Sequence, residues 1–222
     1  GSPFGFGGTR DAQGAPTTND FAGSGGGLLY PILIQGVSER DRSTEDPFSP
    51  RNALRLLVWG KNFIPAREEA LLDSMFEVKL GDRFLPGDWE ASPNWPYVRP
   101  GKWGATNAMS PKYVGNLVER ILASGQKPPV LWIYGAEDLA VSNTAASDPG
   151  TRGPTCRQDG FPGPEAYPPQ PMMDQIRTLL EDYRERGGSY QEISVAGAGH
   201  VPFMSHPDQF NRAFHALLDR SS

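Results

Sequence analysis

The clearest alternation of apolar and polar residues lies in the last part of the chain. Residues 128–138, PPVLWIYGAED, are almost continuously apolar before the final acids, which predicts a short strand buried on both faces. Residues 190–197, YQEISVAG, alternate and predict a second strand. Apolar side chains at helical spacing predict one helix beginning near Pro171 and another near Pro207. Strands alternating with helices are typical of βαβ units and a parallel sheet.

The first half of the chain has a different pattern, which is helical and rich in loops. Residues 49–60, 66–77 and 110–125 have the caps and the apolar spacing of helices, with Ser49 as the N-cap of the first. Residues 85–104 form a loop rich in Pro, Gly and Trp. We find no pair of parallel strands here.

Together these patterns predict an α/β protein in which a mainly helical, loop-rich cap precedes the last strands and helices of a parallel core. Residues 1–10 are assigned to the end of the core and the connection into the cap. Residues 11–125 are assigned to the cap, and residues 126–222 to the C-terminal part of the core. Residues 1–30 are predicted to be extended, because they are rich in glycine.

The composition of the chain excludes several classes of partner and of structural framework. Among the 222 residues are 26 glycines and 22 prolines, which gather in the predicted loops, and the net charge is −5 without a basic stripe. Nucleic acid is therefore not an expected partner. No apolar run approaches the roughly 20 residues of a membrane span, so no membrane association is expected. The single cysteine, Cys156, excludes an internal disulfide framework. With no visible signal peptide, we expect a cytoplasmic protein.

Two residues follow the carboxyl ends of the predicted strands, where the functional sites of parallel sheets usually lie. Asp138 ends the first predicted strand, and His200 follows the second in a glycine-rich turn. The carboxyl ends of neighbouring parallel strands meet at one edge, so these side chains are expected to lie together. A carboxylate bound to one imidazole nitrogen leaves the other nitrogen free to act as a base. The glycines on either side of Ala198 permit the sharp turn.

The two segments LWIYGAEDLAV (131–141) and GAGHVP (197–202) resemble the C-terminal portion of an α/β-hydrolase. In that family the order along the chain is nucleophile, acid, histidine. The resemblance implies that Asp138 is the acid and His200 the general base. Glu137 is rejected as the acid, because the third place after Gly135 falls on Asp138.

The resemblance extends over nearly the whole chain. Several further motifs resemble a bacterial and fungal group of α/β-hydrolases that has an aromatic, Pro-rich lid; these are SPFGFGGTRD, DFAGSGGG, SPRNALR, SPNWP, SPKY and YPPQPMMDQ. The resemblance implies serine-type hydrolysis of an ester-like substrate, without a cofactor, and the aromatic residues of the cap indicate that the substrate is small or medium and apolar. These lid motifs indicate the family and not the substrate.

The nucleophile elbow G-x-S-x-G of that family is absent from this sequence. Ser189 in GGSYQ lacks the final glycine and follows the acid, and Ser24 in AGSGG lacks the first glycine. We therefore expect the nucleophile and the oxyanion donors to lie upstream, in a missing N-terminal half of the same protein. The chain alone is expected to be an inactive fragment with an unpaired, apolar strand edge and poor solubility.

Other residues that carry reactive groups have more ordinary interpretations. His206 is expected to cap or border the last helix, and His215 to pack or face solvent. The three histidines lack the spacing of a metal site, and Cys156 has no basic neighbour that would make it reactive. Four tryptophans are expected either to line a substrate pocket or to hold the cap together by packing. They are Trp59, Trp89, Trp95 and Trp103.

Two further hypotheses remain open from the sequence. An Asp nucleophile at the elbow would give an epoxide or haloalkane hydrolase with the same Asp138 and His200. A non-catalytic protein would keep the hydrolase scaffold for binding. The residue at the elbow distinguishes all three hypotheses.

Overall fold

The computed structural model describes residues 2–154 and 159–221, so Cys156 lies outside the described residues. In these ranges the chain forms helices and three sheets of two strands each, which is a mixed α/β architecture. None of the helices in these ranges is both long enough and apolar enough to cross a bilayer.

The predicted cap contains short helices and short strands. Its α-helices are α1 (Pro31–Glu39), α2 (Pro50–Ala53), α3 (Glu68–Phe76), α4 (Ala105–Ala108), α5 (Pro111–Val114) and α6 (Leu117–Ala123). A 3₁₀ turn covers Gly26–Leu28, and a π-helical turn covers Leu54–Trp59. Its strands are β1 (Leu80–Gly81), β2 (Leu85–Pro86), β3 (Trp89–Ala91) and β4 (Val98–Pro100).

The C-terminal part contains the third sheet and the two longest helices of the described chain. Its elements are β5 (Val130–Gly135), α7 (Pro149–Arg152), α8 (Met172–Glu185), β6 (Tyr190–Val195), α9 (Pro202–Ser205) and α10 (Pro207–Ser221). Strands β5 and β6 pair in parallel, in register from Val130 opposite Tyr190 to Gly135 opposite Val195. The two predicted strands and the helices that follow them are confirmed.

Three details of the cap differ from the sequence prediction. Helix α1 was not predicted, and it begins at Pro31, which suits a first helical turn. The helix predicted over residues 110–125 is divided into α5 and α6, because Gly115 adopts a φ of 62° that a helix does not allow. A parallel pair does exist in the cap, since β1 pairs with β2, but each strand has only two residues.

The helices of the cap pack around a small apolar cluster and a buried ion pair. Val37 of α1 packs with Leu72 and Phe76 of α3. Arg51 of α2 donates to Glu68 at 2.7 Å, and the side chains are only 10% and 13% exposed. Glu68 also accepts from Arg55, and these hydrogen bonds hold the pKa of its carboxyl below the usual range.

The N-terminal segment is fixed to the start of α8 by two fully buried glutamine side chains. Gln170 accepts from the N–H of Gly7 at 2.7 Å and donates to the carbonyl of Gly5. Gln175 donates to Thr9 Oγ1 at 2.9 Å and accepts from Gln170 at 2.8 Å. Buried amides cost free energy unless they are paired, so this network favours one docking position of the N-terminal segment.

The four tryptophans divide between the two interpretations left open. Trp59 and Trp95 are buried, and Trp95 packs edge-on against Tyr167 at 4.7 Å between ring centroids. These two rings therefore contribute to packing. Trp89 and Trp103 are more than half exposed, and Trp89 lines a groove of the cap.

The loop that follows β5 ends at a buried carboxylate, Asp148. Its Oδ2 accepts from the N–H of Thr151 at 3.0 Å and of Gln170 at 3.4 Å, so it caps α7. Its Oδ1 is buried without a hydrogen-bond partner among the described residues. Burial raises the pKa of Asp148 to about 6, because removal from water disfavours the charged form.

This raised pKa predicts a loss of stability with increasing pH. The folded state favours the protonated form of Asp148. Its contribution to the free energy of unfolding is therefore complete below about pH 4 and is lost as the pH rises through about 6. A shift from 3.8 to about 6 corresponds to about 3 kcal/mol. Urea unfolding measured between pH 4 and 7 gives the free energy of unfolding at each pH. We expect Asp148→Asn to remove the part of its pH dependence that Asp148 causes. Asp82→Asn, at an exposed carboxyl, is the control; equal pH profiles for both variants would contradict the prediction.

Candidate functional site

The site is built on the carboxyl ends of β5 and β6. Gly135 lies at the end of β5, where the carbonyls of Ala198 and Gly199 approach so closely that a side chain would collide with them. The N–H of Glu137 donates to the carbonyl of Ala198 at 3.0 Å. The two loops therefore pack backbone against backbone, which brings positions 138 and 200 together although 62 residues separate them.

Asp138 and His200 form a direct hydrogen bond. Asp138 Oδ2 lies 2.8 Å from His200 Nδ1, and the two side chains are 6% and 39% exposed respectively. Asp138 Oδ1 accepts from the N–H groups of Ala140 at 2.7 Å and Val141 at 2.9 Å. Both carboxylate oxygens are therefore occupied, which fixes the orientation of the acid towards the ring.

This geometry determines which imidazole nitrogen is available for chemistry. A carboxylate at Nδ1 favours the tautomer that carries its proton there, so the lone pair is on Nε2. Nε2 of His200 has no hydrogen-bond partner within the described ranges, and the ring is partly open to solvent. The pair therefore has the geometry of an oriented base whose Nε2 lone pair makes no hydrogen bond to a described residue.

The rejected acid lies in a different environment. Glu137 Oε2 accepts a long hydrogen bond, 3.4 Å, from Asn62 of the cap, and it has no bond to His200. The geometry thus favours Asp138 over Glu137 as the partner of the ring.

The two serines considered as nucleophiles are not near His200 Nε2. Ser189 immediately precedes the first residue of β6, whereas His200 follows the last residue of that strand. A strand of this length extends about 20 Å, so the two residues lie at opposite ends of it. Ser24 is fully buried, where its hydroxyl bonds to the carbonyl of Phe21 and to Ser110 Oγ. Neither hydroxyl is placed to lose a proton to this histidine.

The other two histidines lie apart from this pair. His206 precedes α10, and its Nδ1 lies 2.9 Å from Ser205 Oγ. His215 lies in α10, with its ring near that of Phe214. Among residues 2–154 and 159–221, no three His, Cys, Asp or Glu side chains converge as metal ligands would.

A contact between the cap and the histidine loop was not predicted from the sequence. The π-helical turn is followed by Gly60, which adopts a φ of 82° and packs directly on Gly199. A side chain on Gly199 would lie 2.7 Å from both the carbonyl of Trp59 and the N–H of Gly60. The sequence signal was only a glycine after a helix, which indicates a helix end and not what the end contacts.

Comparison with known proteins gave no match to a family model, to a curated protein or to a solved structure. The α/β-hydrolase assignment therefore stays a prediction from the motifs, and the Asp138–His200 geometry is interpreted by its chemistry alone.

The orientation of His200 can be tested directly. Replacing Asp138 with Asn puts an amide donor at Nδ1, so we expect the neutral ring to change from the Nδ1–H to the Nε2–H tautomer. Long-range ¹H–¹⁵N correlation spectra report the tautomer, with His200→Ala used to assign the signals. Glu137→Gln is the matched control and should leave the ring unchanged. An unchanged tautomer in Asp138→Asn would show that the hydrogen bond does not form in solution.

The cap contact can be tested by adding one methyl group. Gly199→Ala puts a carbon 2.7 Å from backbone atoms that cannot rotate away, so we expect a loss of about 1–3 kcal/mol in the free energy of unfolding. Chemical denaturation followed by tryptophan fluorescence measures this loss. Gly125→Ala is the control, because its added methyl group meets nothing within 4 Å. Equal stability of the two variants would indicate that the cap and the loop are not in contact.

Proposed function

We propose that this chain supplies the acid and the base of a serine-type α/β-hydrolase that acts on an ester-like substrate. The observation that carries the proposal is the bond of 2.8 Å between Asp138 and His200 at the carboxyl ends of two parallel strands. A buried acid, an oriented ring and a free Nε2 are what a general base requires. The serine comes from a nucleophile elbow outside this chain.

The proposed reaction follows from the positions of these atoms. His200 Nε2 takes the proton of the serine hydroxyl while the serine oxygen attacks the carbonyl carbon. Asp138 stabilises the imidazolium, which then gives its proton to the leaving alcohol as the ester bond breaks. In the second half, His200 deprotonates water, which attacks the acyl-enzyme and releases the acid. The final proton returns to the serine, so His200 and Asp138 end as they began.

Exposed apolar side chains beside the third sheet support the proposal that a further segment of the protein packs there and carries the elbow. In the described chain β5 pairs with β6 alone, although parallel sheets are normally covered and longer. On the neighbouring helices α9 and α10, Phe203 and Phe214 are 52% and 42% exposed. We propose that an upstream, N-terminal part of the same protein adds strands to the free edge of β5 and covers these side chains.

A small apolar cavity lies at the junction of the cap and the loop after Asp138. Its volume is about 50 Å³, and its walls include Leu33, Phe48 and Leu56 from the cap and Ala146 from the loop. The proposal of a small or medium apolar substrate rests on the aromatic residues of the cap sequence. A cytoplasmic location remains part of the proposal and rests on the single cysteine in the sequence.

The test compares the chain alone with the chain joined to an elbow. Alone, it is expected to hydrolyse p-nitrophenyl acetate no faster than its His200→Ala variant, because no hydroxyl or thiol of the described residues forms a hydrogen bond to Nε2. Co-expression with the polypeptide encoded upstream in the same frame is expected to give His200-dependent hydrolysis. Asp138→Asn should then lower kcat by about three to four orders of magnitude, whereas Glu137→Gln should have little effect.

Other outcomes would identify the remaining hypotheses. Saturable, His200-dependent turnover by the chain alone would show that the nucleophile is within it. Hydrolysis of an epoxide or a haloalkane, with an aspartate at the elbow, would indicate the alternative nucleophile. An assembled protein that binds ester analogues without turnover would indicate a binding protein on a hydrolase scaffold.

A further inference from the structure

A groove in the cap, which we call the cap groove, lies between α1, the 3₁₀ turn and the four short strands. Its volume is about 730 Å³, which is within the usual range of small-molecule sites. Leu29, Ile34, Leu80 and Val98 are half-buried and give it an apolar surface. No described residue of β5, β6 or their following loops lines it, and neither Asp138 nor His200 does.

The charged residues that line the cap groove are both acidic. Glu39 is the last residue of α1, and Asp82 lies in the turn between β1 and β2. Neither has an ion-pair partner among the described residues; Glu39 accepts only from the neutral amide of Gln35. The C-terminal end of α1 adds the negative end of its helix dipole.

The basic side chains nearest in sequence interact with other groups. Arg40 forms an ion pair with Glu77 at 2.9 Å, and the side chains of Lys79 and Arg83 lie over aromatic rings at 5.6 Å and 5.2 Å. Within the described ranges, none of the three forms an ion pair with either carboxylate of the groove. The charge of the cap groove favours a cationic ligand.

Trp89 adds an aromatic surface to this negative environment. Its side chain is 56% exposed and lines the cap groove. Within the described ranges no Lys or Arg lies over its ring, in contrast to Trp103, which is covered by Arg83 at 5.2 Å. The face of an indole attracts cations, and ammonium groups bind to it especially well.

We infer that the cap groove binds a small organic ammonium compound with an apolar body. The apolar part lies against the leucine, isoleucine and valine side chains, and the ammonium group is attracted by the indole of Trp89 and by the carboxylates of Glu39 and Asp82, which line the same groove. This inference does not depend on the proposed hydrolase function, because none of these residues belongs to the Asp138–His200 site.

Three probes with the same apolar body and different charge test the inference. They are 4-phenylbutylamine, 4-phenylbutanol and 4-phenylbutyrate, titrated into the intact chain at low ionic strength. Calorimetry gives the affinities, and ¹H–¹⁵N spectra give the site. We expect the amine to bind about tenfold more tightly than the alcohol, and the carboxylate to bind least. The shifted signals should include the indole N–H of Trp89, and added salt should weaken the amine alone.

Conservative variants separate the contributions. Glu39→Gln and Asp82→Asn should each weaken the amine about threefold and leave the alcohol unchanged, because the charges are exposed and screened. Trp89→Leu keeps an apolar side chain, so it should weaken the amine more than the alcohol. Glu45→Gln, at an exposed acid outside the groove, is the matched control and should change neither.

Several results would overturn the inference. Equal affinity for the amine, the alcohol and the carboxylate would exclude recognition of charge. Signals shifted only around β5 and β6 would place the binding elsewhere. Full amine affinity in the Glu39→Gln, Asp82→Asn double variant would show that the carboxylates do not contribute, and absence of binding at millimolar concentrations would exclude the site.

Discussion

The parallel pairing of β5 and β6 is the constraint on which the site depends. Their register places Gly135 opposite Val195, and the loops that follow then meet without side chains between them. A shift of one residue would turn alternate side chains to the other face of the sheet and move Asp138 away from His200. The hydrogen bond between acid and ring is thus a product of strand register as much as of local sequence.

Backbone contacts and buried amides connect the parts of the chain, together with the ring contact between Trp95 and Tyr167. Gln170 and Gln175 hold the N-terminal segment on α8, and Gly60 meets Gly199 at the cap. Each of these contacts depends on the exact fit of polar or bare backbone groups. Such contacts specify one arrangement more strongly than apolar packing does, since an unpaired buried amide is costly.

The sequence predicted the parts of the structure that depend on local periodicity. Helix α8, helix α10 and the two strands of the third sheet follow from apolar spacing, and the proximity of Asp138 and His200 follows from topology. The sequence did not reveal the partners of Gln170 and Gln175, because hydrogen bonds across more than 160 residues leave no local pattern. Similarly, nothing in the spacing of the tryptophans distinguished the buried Trp59 from the exposed Trp89.

The contact between Gly60 and Gly199 has a consequence for motion. A hinged lid needs a layer of side chains that can slide or separate, but here the end of the π-helical turn rests directly on the backbone beside His200. Opening the cap at this point would displace the base itself. We therefore expect molecules to reach the histidine through the loops at the rim of the cap, while the edge formed by the π-helical turn stays closed and behaves as a fixed wall.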